Sequence, residues 1–366
     1  MLRERPVAAH ARPIAASERT LDVLIVSLGS TAGLRNADEE LRNSLVRAGA
    51  SVQIVRAPAP APRRTLVLTD LAWARAARAT ASTALAELSS PPRAVIYSST
   101  TAALLWPRPG AIRFDAPSAG NRPGRHGLWQ RPRERRRLRE APLLLPWSDG
   151  AMREAPAEAR TGERTLVVPV SVEPSGPMLP VNERDIAAIT YAANPHKKGL
   201  DRVLAAWGAV CERLSPEGPR ELVVAGVSER ELRHAGVGLE GHTHVRVVGA
   251  LPGAEYRALL RRARVFVCAP RREDYGIAQL EALADGCHLV STPAPGPYAA
   301  LPMARALDPR LVSEDLESAL LAALLSDPPR GYAQRALHLL APFRRDAVDR
   351  LVAEEMLPRL LDGGRG

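Results

Sequence analysis

Short apolar runs recur along this chain, each ended by a turn signal and answered by a stretch with helical spacing. Residues 21–27 (Leu-Asp-Val-Leu-Ile-Val-Ser) have the near-continuous apolar character of a parallel strand covered on both faces. A helix is expected from about 37 to 48 on the spacing of Leu41, Leu45 and Val46, with Gly49 ending it and a second strand at 51–55. The alternation goes on through apolar Thr65-Leu-Val-Leu68, read as strand, an alanine-rich helix over 72–88, and strands at 93–97, 111–115, 142–148 and 164–169.

Residues 171–184 break the rhythm with several prolines and a glycine, a composition suited to an interdomain linker. Strand signals then return at 185–191, 221–225, 244–248, 264–270 and 288–292. Helices are expected at 199–214, at 254–263 and from about Gly276, and the tail reads as helical near 313–325, 331–342 and 344–361. Two successive strand–helix series predict an α/β protein of two doubly wound, Rossmann-like parallel-sheet domains facing a cleft, spanning 21–170 and 185–342. Residues 1–20 are polar, hold Pro6 and Pro13 and lack an apolar core, so they read as a flexible leader rather than a secretory signal.

Composition changes this picture only in places. At 366 residues with 46% hydrophobic side chains, the chain can fill two cores. Cys211, Cys268 and Cys287 show no paired spacing and fit buried thiols in a reducing cytoplasm. No apolar run is long enough to span a bilayer. The eight histidines are scattered, so a metal site is not expected. Neither a P-loop nor a nucleophile elbow is present.

The chemistry concentrates between Glu273 and Glu281. An apolar strand ends at Pro270, a short loop carries Glu273, and a helix starts near Gly276, where free amides and the helix dipole favour an anion. On that helix Ile277, Leu280 and Ala284 share one face, and Glu281 lies at its edge. Both carboxylates are therefore expected to point into one cleft. The alternative is a loop acid and an unrelated surface acid.

Glu273 and Glu281, seven residues apart, followed by Ala282, Ala284 and Gly286, resemble the retaining GT-B glycosyltransferases of the glycosyl transferases group 1 family (glycosyltransferase family 4). Lys198-Gly199 at a helix start and Val168-Pro169-Val170 before the linker are also similar to that family. The resemblance is close over about 165–300 and extends to the first domain only in pattern. It implies a GT-B fold and a hexosyltransferase-type enzyme. Such an enzyme moves a sugar from a nucleotide diphosphate sugar to an acceptor hydroxyl with retention, needs no metal or other cofactor, and has residues 343–366 returning to the first domain. It also implies residue roles. Glu273 holds donor sugar hydroxyls at the reacting centre, Glu281 holds the ribose, and Lys198 meets the diphosphate. Tyr275, Gly276 and Ile277 offer backbone amides to the donor, and Gly29 and Gly33 form the glycine-rich loop after the first strand. Two departures stand out. The stretch Ala193-Asn194-Pro195-His196 lacks the family's arginine, for which Lys197, Arg271 or Arg272 are candidate substitutes at phosphate. Arg113-Phe114-Asp115 stands where a histidine is usual. A catalytically weak nucleotide-sugar-binding protein, or another GT-B nucleotide-sugar enzyme such as an epimerase, are the alternatives.

The net charge is +10, and eight arginines fall between Arg122 and Arg139. A solvated basic face, a peripheral contact with the inner face of a membrane near a lipid-linked acceptor, and contact with an anionic polymer all fit that run. With one aromatic in it and no nucleic-acid motif, nucleic acid is not expected as a partner. The acceptor, whether glycan, lipid-linked or small molecule, is not legible.

Overall fold

The computed structural model describes residues 20–61, 63–160 and 164–362, so the expected leader lies outside the described residues but for its last position. In the first domain β1 (Val23–Ser27), β2 (Val52–Arg56), β3 (Ala94–Tyr97), β4 (Ala111–Phe114) and β5 (Leu144–Pro146) form a parallel sheet in the order β2-β1-β3-β4-β5. In the second, β6 (Ile186–Tyr191), β7 (Leu222–Ala225), β8 (Val245–Gly249), β9 (Ala263–Cys268) and β10 (His288–Ser291) form a parallel sheet ordered β10-β9-β6-β7-β8.

Successive residues of β1 explain why its sequence is apolar throughout. Leu24 and Val26 pack under the helix Leu66–Glu87, through Ala77, Ala81 and Ala84. Val23 and Ile25 pack under the helix Ala32–Arg47, through Leu41 and Leu45. The tail shares the second of these layers. Helices Arg345–Leu351 and Leu357–Asp362, joined by one π turn, bury Val348, Val352, Met356 and Leu360 against the first domain. Four such side chains contribute roughly 6–12 kcal/mol as an upper bound. The exposed Arg47–Asp349 ion pair at 2.6 Å adds at most about 1 kcal/mol and serves mainly to set the register.

Three local expectations are corrected, and one unexpected helix is added. Residues 65–68 are not a strand: the Thr65 hydroxyl accepts from the Leu68 amide at 3.2 Å and caps a helix that begins at Leu66. The first helix begins at Ala32, not near 37, because Thr31 caps it in the same way. Residues 164–169 are an extended segment rather than a sheet strand. Leu166 and Val168 donate to β5 carbonyls at 2.9 Å, and the next alternate amide, that of Val170, goes instead to the Tyr275 hydroxyl. The helix Ala300–Leu307 carried no signal that was read, since Pro302 stands inside its first turn, where proline is tolerated.

Candidate active site

In each sheet the chain order reverses between neighbouring strands, β1 and β3 in the first and β6 and β9 in the second. Connections leaving those strand ends diverge and open a crevice. This topology brings the segments after β6 and β9 side by side although about 75 residues separate them.

After β6, Asn194 caps the short helix Pro195–Lys198, and Gly199 ends it in the left-handed region at φ 65°. A Cβ on Gly199 would fall 1.9 Å from the Ala269 carbonyl oxygen at the end of β9. Only glycine lets the turn lie this close, and the closeness delivers Lys198 to the loop after β9. There Lys198 Nζ meets Glu273 Oε2 at 2.6 Å, and Gln279 Nε2 donates to the same oxygen at 2.9 Å. Glu273 is buried, with its own amide bound to the Pro295 carbonyl at 3.0 Å. A second pair lies alongside, Lys197 Nζ to Asp274 Oδ2 at 2.5 Å.

The helix that follows, Ile277–Ala284, starts from Gly276 at φ 90°. Its first-turn amides have no intrahelical partners and face the crevice end of the sheet. Glu281, one turn on, is half-buried, with Arg257 Nη1 at 3.6 Å. Burial raises its carboxyl to about 7, Arg257 opposing and Asp285 adding to the shift. Glu273 and Glu281 thus have separate environments and separate cations.

The first domain closes directly on these loops. Gly33 lies in the first turn of the helix Ala32–Arg47, not in a loop, and a Cβ there would touch Ile277 Cδ1 at 3.5 Å. Gly29 lies in the turn after β1, its carbonyl accepting from Arg35 at 2.8 Å. Arg272 reaches across to Asn121 Oδ1 at 3.0 Å and Glu154 Oε2 at 2.5 Å while also holding Asp274 at 2.8 Å. Arg271 turns away onto the next helix, where Asp201 holds it at 2.8 and 2.9 Å. The Tyr275 side chain is used elsewhere too. Its hydroxyl accepts from the Val170 amide at 3.0 Å and its ring stands edge-on to Trp147 at 5.1 Å.

Three features escaped the sequence reading. Asp115, at the carboxyl end of β4, is half-buried; burial and the facing charge of Asp274 raise its carboxyl to about 6, with Lys197 opposing. Its sequence signals were its place after an apolar strand and its position in the stretch where the resembled family usually has a histidine. Gln279 fixes Glu273 from the helix. Arg113, fully buried between Asp38 at 3.6 Å and the Trp147 ring at 4.6 Å, supports the wall on which Tyr275 rests. Among the described residues no group of three His, Cys, Asp or Glu side chains is placed to hold a metal ion.

Residues 184–327 match the family model described as Glycosyl transferases group 1. WaaG, a glycosyltransferase involved in lipopolysaccharide biosynthesis, superposes with a TM-score of 0.65 at 16% identity, over 92% of this chain and 99% of that one. The fold is that of the GT-B glycosyltransferases. Sucrose-phosphate synthase from Thermosynechococcus elongatus shares the GT-B fold with a TM-score of 0.64 at 16% identity, over 94% and 99% of the two chains. Anabaena HepE, solved in complex with UDP and glucose, gives 0.57 at 13% identity over 92% and 99%. No curated protein matches the sequence. The group 1 pattern thus lies in the second GT-B domain, which carries Lys198, Glu273 and Glu281.

Proposed function

We propose that this protein is a retaining glycosyltransferase that moves a hexose from a nucleotide diphosphate sugar to an acceptor hydroxyl. The observation that carries the reading is the Lys198–Glu273 pair, seated at the switch point of a group 1 domain and faced by the first domain. In this reading the anomeric C–O bond to the diphosphate breaks as a C–O bond to the acceptor forms, and the acceptor hydroxyl's proton passes to the departing diphosphate. Charge builds on the departing diphosphate, where Lys198 and the amides at Tyr275, Gly276 and Ile277 offset it without a metal. Glu273, freed from part of its pairing, accepts from sugar hydroxyls, and Glu281 takes the ribose diol. Lys197 and Arg272 stand at the diphosphate edge, as does Arg271 once its pairing with Asp201 is exchanged. Gly29 and Gly33 line the acceptor side. Closure over the donor excludes water and limits hydrolysis.

Thermal-shift titration with UDP, GDP, ADP and dTDP sugars identifies the donor, because a ligand of the native state raises its apparent stability. With that donor, Glu273→Ala is expected to lower turnover at least about 100-fold with the fold intact, and Lys198→Ala to weaken nucleotide diphosphate binding. Full activity in the first variant removes Glu273 from the reaction, and unchanged affinity in the second removes Lys198 from the diphosphate. The anomeric configuration of the product, read by NMR, tests retention. A second reading, a binding protein with little turnover, draws on the prior neutralisation of both lysines by Glu273 and Asp274. Saturable donor binding with neither transfer nor hydrolysis would favour it.

A further inference from the structure

The basic run beginning at Arg122 acquires a second half in three dimensions. Arg122 grips buried Asp70 in a bidentate pair at 2.7 and 3.0 Å, tying the run to the second turn of the helix Leu66–Glu87. Residues 63–78 and 122–140 together hold twelve arginines against three carboxylates, a net +9 of the chain's +10. Of the three acids, Asp70 and Glu134 are buried, Glu134 accepting from Ser118 at 2.8–3.0 Å, and Glu140 is paired with Arg136 and Arg137 at 2.6 Å. The helix Gln130–Glu140 lies with Gln130, Glu134 and Leu138 inward, which turns Arg133, Arg135 and Arg139 to solvent. Among the described residues these three arginines and Arg125 have no carboxylate partner.

Apolar side chains stand within this charge. Leu66, Leu68 and Leu128 are 44%, 49% and 65% exposed, three of the six exposed large hydrophobic residues among those described. Leu66 lies one helical turn from Asp70, and Leu128 follows the turn Gly124–Gly127 that packs on the same helix. Exposed leucines on the same joined segments as unpaired arginines suit a surface that is both anionic and apolar beneath, as a lipid bilayer is. A nucleic acid offers charge but no apolar layer, and the one tryptophan in the run, Trp129, has a face covered by Arg133 at 5.2 Å.

We propose that this surface docks the protein on an anionic lipid bilayer. The surface begins at the cleft: Asn121, which touches Arg272, is the residue before Arg122. Docking there places the cleft edge at the lipid headgroups and so selects a membrane-anchored acceptor, a corollary that rests on the glycosyl-transfer reading, whereas docking itself does not.

The test is flotation of the full chain with phosphatidylcholine vesicles, with and without phosphatidylglycerol. Binding is expected only with phosphatidylglycerol and should weaken as salt is raised. Replacing Arg125, Arg133 and Arg135 together by Ala should lower the partition coefficient about 100-fold, at roughly fivefold per arginine. Replacing Leu66, Leu68 and Leu128 together by Asn should lower it about tenfold while the salt dependence remains. All six side chains are exposed, so melting temperature and nucleotide-sugar binding should match those of the unmodified protein. Equal binding to neutral vesicles, full binding by the leucine variant, or preference for an RNA oligomer over the anionic vesicles would each overturn the proposal. No turnover enters the assay, so its failure leaves the glycosyltransferase reading standing, and the reverse holds.

Discussion

Glu281 is asked to be buried beside an apolar helix face and still to hold charge near a ligand. Burial wins in the free protein, which raises its carboxyl from the ordinary 4.5 to about 7. The native state therefore binds an extra proton between those values, and its stability falls as pH rises through that window. Glu281→Gln should accordingly stabilise the fold by roughly 1–3 kcal/mol at pH 8 and leave it unchanged near pH 4. Thermal melts at the two pH values check the sign; an equal shift at both would mean the carboxyl is not desolvated. Nucleotide affinity should fall in the same variant if Glu281 holds the ribose. At this scale Glu273, Glu281 and Lys198 stood out as candidates because they match the group 1 pattern, and the fold brings Lys198 and Glu273 together. Asp115 did not, because its raised carboxyl depends on burial and then on Asp274, both of which only the closed cleft supplies.

Elements were legible where period and caps agree. All ten strands overlap the expected apolar runs, with β2, β8 and β9 each reaching one residue beyond, because a covered strand leaves a near-continuous apolar signature. The misreading at 65–68 shows the limit: four apolar residues suit a strand or a first helical turn, and the hydroxyl of Thr65 decided for the helix. The turn at Gly199 makes the element-scale prediction. Gly199→Ala forces a left-handed backbone on an L residue and drives its Cβ into the Ala269 carbonyl. A loss of about 2–4 kcal/mol is expected, with Lys198 displaced and nucleotide diphosphate binding weakened. Chemical denaturation and a nucleotide titration measure the two effects; wild-type values in both would show that the turn is free to shift.

At the scale of the whole molecule, the two domains meet through a buried seam. Arg113, Trp147 and Tyr275 stack from β4 to the loop that bears Glu273, and the Tyr275 hydroxyl satisfies the Val170 amide at the start of the linker. Tyr275→Phe leaves that amide buried without a partner and should cost about 1–3 kcal/mol. Nucleotide affinity should stay within about twofold of the unmodified protein, since the phenol serves the seam and not the donor. A tenfold loss of affinity with unchanged stability would place the side chain at the ligand instead. The sequence by itself determined the two parallel sheets and singled out the acids and lysine of the second domain as candidates, because strand burial, helix periodicity and residue type are local properties. Tertiary structure alone decided which cation meets which carboxylate, that Tyr275 serves the seam, and that the helix bearing Leu66 and Leu68 is tied to the arginine run through Asp70. Those outcomes depend on strand order and domain closure, which bring together residues tens of positions apart and leave no local periodic trace.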